Sequence, residues 1–219
     1  MKKSLNTVEV KNITRQDIPD TAKVYAEVFA GEPWREVSKC NSCGEFGSSQ
    51  PSEKKRCTHC AKGRLSLPAY PERETQQYVT KELSRMDAVG LLAVQMQLSK
   101  LIGFGWGYAM DGRQFAGEKY KLAEMQQLVT DLLVNAGTFY YVSEVGVIES
   151  SQGHGIGKQL THRLMDHGKK SQGTIVLRTN ENSSMRYIAE HAGMKPVVGL
   201  KSGNTDTENE ERVIFVSKR

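Results

Sequence analysis

Four thiols and one run of glycines are the residues whose types and spacing imply chemistry. All four cysteines fall in one window, as Cys40-Asn41-Ser42-Cys43 and Cys57-Thr58-His59-Cys60. A Cys-x-x-Cys turn aims two thiolates at one point, and two such turns supply four ligands, about 2.3 Å each, to a tetrahedral Zn²⁺. Two disulfides or four free thiols are the competing readings, and the disulfides suit an oxidising compartment. The chain opens Met1-Lys2-Lys3-Ser4 without an apolar leader, which favours a cytoplasmic location and the metal. With every position a thiolate, no coordination site stays open for water, so the zinc is expected to be structural. The residues between the turns are mostly Ser, Glu, Lys and Arg with one Phe and cannot build a core of their own. Metal would supply their folding energy, on the order of 10 kcal/mol. His59 is expected to face solvent.

The glycine run is Gln152-Gly153-His154-Gly155-Ile156-Gly157-Lys158. It stands between a strand-like run, 138–148, and a helical pattern, 155–168, in which Ile156, Leu160 and Leu164 form an apolar stripe. Glycines opening a helix let backbone N–H groups approach an anion where the helix dipole favours negative charge, as for a pyrophosphate. Lys158, Arg163, Lys169 and Lys170 lie off the stripe, free for solvent or phosphates. The spacing fits neither the dinucleotide fingerprint Gly-x-Gly-x-x-Gly nor the Gly-Lys-Ser/Thr phosphate loop.

The elements that must carry these residues read as α/β. Val8, Val10 and Ile13 suggest a first strand. A helix capped by Asp17 or Asp20 follows and stops at Gly31-Glu32-Pro33-Trp34. After the cysteine window a helix is expected from Glu72 toward Ser84, then strands over 88–95 and 100–110 joined as a hairpin. Gly103, Gly105 and Gly107 leave one face of the second strand bare, for close packing more often than for a ligand. One helix over 117–135, strands at 174–178 and 212–217 and a helix over 183–192 complete the order. Residues 202–211 read as a polar loop.

The 219 residues carry 30 basic and 25 acidic side chains, a net +5, mild for a nucleic-acid protein. No apolar run is long enough to span a membrane. A single domain, 1–219, with a zinc-knuckle insertion at 38–64 accounts for the length.

Strand, glycine turn and helix together resemble the GNAT superfamily of acetyl-CoA-dependent N-acetyltransferases. Gln152-Gly153-His154-Gly155-Ile156-Gly157 matches the family's Gln/Arg-x-x-Gly-x-Gly/Ala loop. Glu144-Val145-Gly146-Val147 looks like its pantetheine-pairing strand, and Asn182, Ile188, Gly193 and Met194 fit a second family segment. The resemblance implies a mixed, mostly antiparallel twisted sheet, splayed at the acetyl-CoA strand, with flanking helices. The cysteine window and 111–135 would be insertions. It further implies that acetyl-CoA contacts Val145, Gly146, Val147, Gln152, Gly153, His154, Gly155, Ile156, Gly157, Lys158 and Asn182. The implied reaction is acetyl transfer to a primary amine of a small molecule, peptide or protein. A homodimer is compatible with this reading, and nucleic acid is the less expected partner. The alternative is a zinc-knuckle docking module for protein or nucleic acid on a scaffold that no longer catalyses.

The family's general-acid tyrosine falls at Ala189 in this register. Tyr187, on another side of that helix, could serve only if the helix is rotated and reads rather as a packing side chain, with water protonating the leaving thiolate instead. An alkyl amine of pKa about 10.4 is almost wholly protonated at pH 7, and freeing its lone pair costs roughly 4.6 kcal/mol. A general base is therefore required, and Glu144, at the family's frequent base position, is the first choice. Glu32 and Trp34 stand in the turn where the family often lines its acceptor cleft.

Overall fold

The computed structural model describes residues 7–120, 122–181, 183–197 and 212–217. Strand β1 (Val8–Asn12) leads into a turn closed by the Thr14 amide donating to Asp17 Oδ2 at 2.8 Å. Helix α1 (Ile18–Ala30) follows, its Ala22, Val24, Tyr25 and Phe29 buried as the apolar spacing requires. Three two-residue strands come next: β2 (Ser38–Lys39), β3 (Phe46–Gly47) and β4 (Leu67–Pro68). They form a separate small sheet in the order β3-β2-β4, so pairing around the cysteine window reaches beyond position 64. Helix α2 (Glu72–Leu83) precedes β5 (Val89–Gln95) and β6 (Lys100–Asp111), sheet neighbours joined by the 3-10 turn Met96–Leu98.

The single helix expected over 117–135 is two. Asp111 caps α3 (Gly112–Lys119) by accepting from the Gln114 amide at 2.8 Å, starting the helix earlier than the apolar spacing suggests. Tyr120 is extended and ends it, and α4 (Ala123–Leu133) begins afresh. The chain continues through β7 (Thr138–Val147), α5 (Ile156–Ser171), β8 (Ile175–Asn180), α6 (Ser184–His191), β9 (Lys195–Pro196) and β10 (Arg212–Val216). The expected loop at 202–211 lies outside the described residues.

The main sheet has seven strands in the order β1-β5-β6-β7-β8-β10-β9. It is mixed: β1 runs antiparallel to β5, β10 antiparallel to β8 and β9, while β7 and β8 are parallel. The chain divides into two compact units. One holds the described residues up to Lys81 with Leu91–Phe104 and Gly146–Ile156; the other holds Glu82–Gly90, Gly105–Val145 and the described residues from Gly157 onward. The first centres on aromatic rings, with Tyr25 stacked on Phe104 at 5.4 Å and edge-on to Tyr70 at 5.1 Å. The second buries Trp106, Tyr108, Phe115, Phe139, Tyr140, Leu160, Leu164 and Phe215. Among the described residues no helix is long and apolar enough to cross a membrane.

The bare face of β6 is filled by β7. A β-carbon at Gly107 would stand 2.5 Å from Tyr140 Cε1, and one at Gly105 3.2 Å from the Glu144 carbonyl oxygen. The approach at Gly107 requires glycine, and the one at Gly105 is tight for any larger residue.

Candidate active site

Glu144 is half-buried on β7, at a point where the strand is irregular. In a regular strand Tyr141, Ser143 and Val145 would share one face. Tyr141 and Ser143 do, since both meet Tyr108: the rings of Tyr141 and Tyr108 lie edge-on at 5.8 Å, and Ser143 Oγ is 3.3 Å from the Tyr108 hydroxyl. Val145 does not. Its Cγ2 lies 3.2 Å from the position of a β-carbon on Gly105, which alternation places on the face of β6 opposite Tyr108. The alternation of β7 therefore slips by one residue between Ser143 and Val145. This is a β-bulge with Glu144 at its centre, a device that re-aims a side chain.

On its other edge β7 pairs with β8 at Tyr140↔Ile175, Tyr141↔Val176 and Val142↔Leu177, then runs on through the bulge. Parallel strands that part this way leave backbone donors and acceptors facing a gap, where an extended ligand can pair with them. Beyond the 3-10 turn Glu149–Ser151, Gln152 folds back and donates from Nε2 to the Val147 carbonyl at 3.0 Å.

Gly153 and Gly155 have φ of +76° and +79°, and nothing lies within 4 Å of a β-carbon built on either. Their glycine identity thus answers to backbone conformation and open space. Residues 152–155 are exposed, and α5 starts at Ile156. The first four amides of a helix have no intrahelical acceptor, so this loop and helix start present donors and the positive end of the helix dipole to solvent. Ile156, Leu160 and Leu164 are buried, while Lys158 and Arg163 are exposed.

The model of the Acetyltransferase (GNAT) family matches residues 63–194, more than half of the chain. The chain belongs to this family. It is an acetyl-CoA-dependent N-acetyltransferase of GNAT fold. No curated protein matches it. Solved structures of similar fold include a mosquito arylalkylamine N-acetyltransferase like 5b, at 14% identity and TM-score 0.58, covering 96% of this chain and 99% of that one. The Drosophila melanogaster polyamine N-acetyltransferase is similar at 10% identity and TM-score 0.58, with 97% and 100% covered. Arabidopsis thaliana NAA60, solved with acetyl-CoA, is similar at 15% identity and TM-score 0.54, with 96% and 97% covered.

Within this GNAT fold the expected general-acid position, Ala189, is buried with 0% exposure. Tyr187 is 62% exposed, so its reading as a packing side chain does not hold: α6 turns Ala189 inward and Tyr187 outward. Asn182 lies outside the described residues. Trp34 packs on Phe29 at 5.7 Å, and Glu32 pairs with Arg35.

Sequence reasoning missed a polar network behind the bulge. Glu82, buried at the end of α2, accepts from Ser143 Oγ at 3.3 Å and from Arg85 Nε at 2.8 Å. Arg85 also forks onto both carboxylate oxygens of Glu118, at 2.8 and 2.9 Å, and lies 4.5 Å over the Tyr108 ring. Burial keeps the Tyr108 phenol far above its ordinary pKa, so it stays a neutral donor.

The GNAT match begins at residue 63, and the cysteines precede it. Their four sulfurs lie within 4.8 Å of one another. Cys40–Cys60 and Cys43–Cys57 are each 3.8 Å apart, the edge, about 3.8 Å, of a tetrahedron with 2.3 Å Zn–S bonds. The Ser42 amide donates to Cys40 Sγ at 3.4 Å and the Gly63 amide to Cys60 Sγ at 3.3 Å. The amides of Gly63 and Lys62 hold the Cys60 thiol down, at about 6, which favours thiolate at neutral pH. The donor set fits zinc. His59 is exposed.

Proposed function

We propose that the chain acetylates a primary amine, with Glu144 as general base and acetyl-CoA lying along the bulged strand and the glycine loop. The observation that carries this reading is the bulge at Glu144 on an edge where β7 has parted from β8. In this account the pyrophosphate takes the amides of Gln152, Gly153, His154, Gly155, Ile156 and Gly157, with Lys158 adding charge, and the pantetheine amides pair with Val145, Gly146 and Val147. Asn182 is assigned to the cofactor by resemblance alone.

Glu144 takes a proton from the ammonium, directly or through water. The freed lone pair attacks the thioester carbonyl, the C–S bond breaks, the nitrogen gives its second proton to solvent, and the acetamide leaves with CoA thiolate. With Ala189 at the family's tyrosine position, water protonates the thiolate. Cys40, Cys43, Cys57 and Cys60 would hold one structural zinc, which organises the insertion and takes no part in the transfer. Names of neighbours of similar fold, arylalkylamine and polyamine acetyltransferases among them, support amines as the acceptor class.

The test is a panel of aryl-alkylamines, polyamines, aminoglycosides and peptide amines, scored for CoA release and for binding of labelled acetyl-CoA. Saturable release with one amine class supports the reading. Failure to bind acetyl-CoA would favour a docking module.

A further inference from the structure

We propose that Ser143 is a positioning residue for acetyl transfer, coupling the buried Glu82 of α2 to the base at Glu144; this rests on the reading of Glu144 given above. A bulge is a flexible irregularity unless its extra residue is held, because the ladder that fixes its neighbours is interrupted there. Here the residue before Glu144 is held at both ends of its hydroxyl. The Ser143 Oγ–H donates to Glu82 Oε2 at 3.3 Å, and its oxygen receives the Tyr108 phenol at 3.3 Å.

Both partners are fixed in turn. Glu82 has 3% of its side chain exposed and is gripped by Arg85 at 2.8 Å, and Arg85 is anchored by its two-pronged pair with Glu118. Tyr108 is fully buried under the Arg85 guanidinium and against Tyr141. A buried carboxylate paired with an arginine and a hydroxyl makes a good anchor, because leaving it unpaired in its buried place is expensive. The chain Glu118–Arg85–Glu82–Ser143 therefore ends on the backbone of the bulge and fixes where the next side chain, Glu144, points. Proton transfer from an amine requires that direction to be correct within a fraction of an ångström.

A double-mutant cycle reads this directly. Ser143→Ala is expected to lower kcat about tenfold at pH 7, to leave acetyl-CoA affinity within about twofold, and to recover as pH approaches the acceptor's pKa. Ser143→Thr, which keeps the hydroxyl, should restore most of the rate. In a Glu144→Gln background the Ser143→Ala change should cost nothing further, since a residue acting through Glu144 has nothing left to position. Losses that multiply in the double variant, or a full-rate Ser143→Ala enzyme beside an impaired Glu144→Gln enzyme, overturn the proposal while leaving the base intact. Wild-type turnover in Glu144→Gln alone removes the base and the proposal together.

Discussion

Cys40 Sγ and Cys60 Sγ stand 3.8 Å apart across a span of twenty residues, and neither is in a disulfide. Four unlinked thiols within 4.8 Å of one another repel as thiolates unless a cation lies among them. We predict one zinc per chain by metal analysis, lost in Cys57→Ser. Metal-free protein with paired cysteines would contradict this.

Removing the zinc should loosen the small sheet while the rest of the chain keeps its fold. The coupling to the first unit's core runs through Phe46, stacked on Tyr70 at 5.4 Å, and through Tyr70 to Tyr25 and Phe29. Hydrogen exchange after chelation should rise first around 38–68 and next near Trp34. Global unfolding on chelation would show that the insertion organises the core.

Gly155→Val should abolish acetyl-CoA binding in a protein that remains folded. No neighbour lies within 4 Å of the new side chain, but φ of +79° is strained for a β-branched residue and costs of order 1–3 kcal/mol. The local backbone should therefore rearrange and turn its amides away from the anion. Calorimetry on the folded variant reads this, and wild-type affinity would remove the phosphate-loop assignment.

Glu118→Gln should destabilise the protein by about 1 kcal/mol at pH 7. Burial pushes this carboxyl up, but hydrogen bonds from Arg85 and Gln114, with the charge of Arg85, bring it below its ordinary value. A depressed folded pKa contributes stability above the unfolded value, about 4.3, and loses it as pH falls through the folded one. The gap between wild type and variant should thus be steady from pH 7 to about 5 and close toward pH 3. Denaturant midpoints at these pH values would check it; a gap that persists at pH 3 would contradict it.

Tyr187→Phe should keep turnover within about twofold, because water serves as the acid where Ala189 replaces a tyrosine. Steady-state kinetics on the acceptor found by the amine panel would test this. A loss of about a hundredfold would make Tyr187 the proton donor.

What could be read from the sequence was what lies close along the chain. The cysteine turns, the glycine loop and the stripe Ile156, Leu160, Leu164 are patterns of a few residues, and local geometry alone converts them into chemistry. The support of Glu144 was not readable, because Ser143 and Glu82 are 61 residues apart and Arg85 and Glu118 are 33 apart. Nothing in Tyr140 to Val147 marks a bulge, since apolar residues on both sides of a buried strand hide a one-residue slip. The two helices at 112–133 read as one because apolar spacing continues across them, while the Asp111 cap and extended Tyr120 divide them.

The most direct test of the account is the pH–rate profile of Glu144→Gln against wild type with one amine acceptor. Glu144 should matter most where the amine is protonated. The ratio of wild-type to variant turnover should be about a hundredfold or more at pH 7 and fall toward unity as pH nears the acceptor's pKa. A ratio that stays constant across that range would show that Glu144 is not the base.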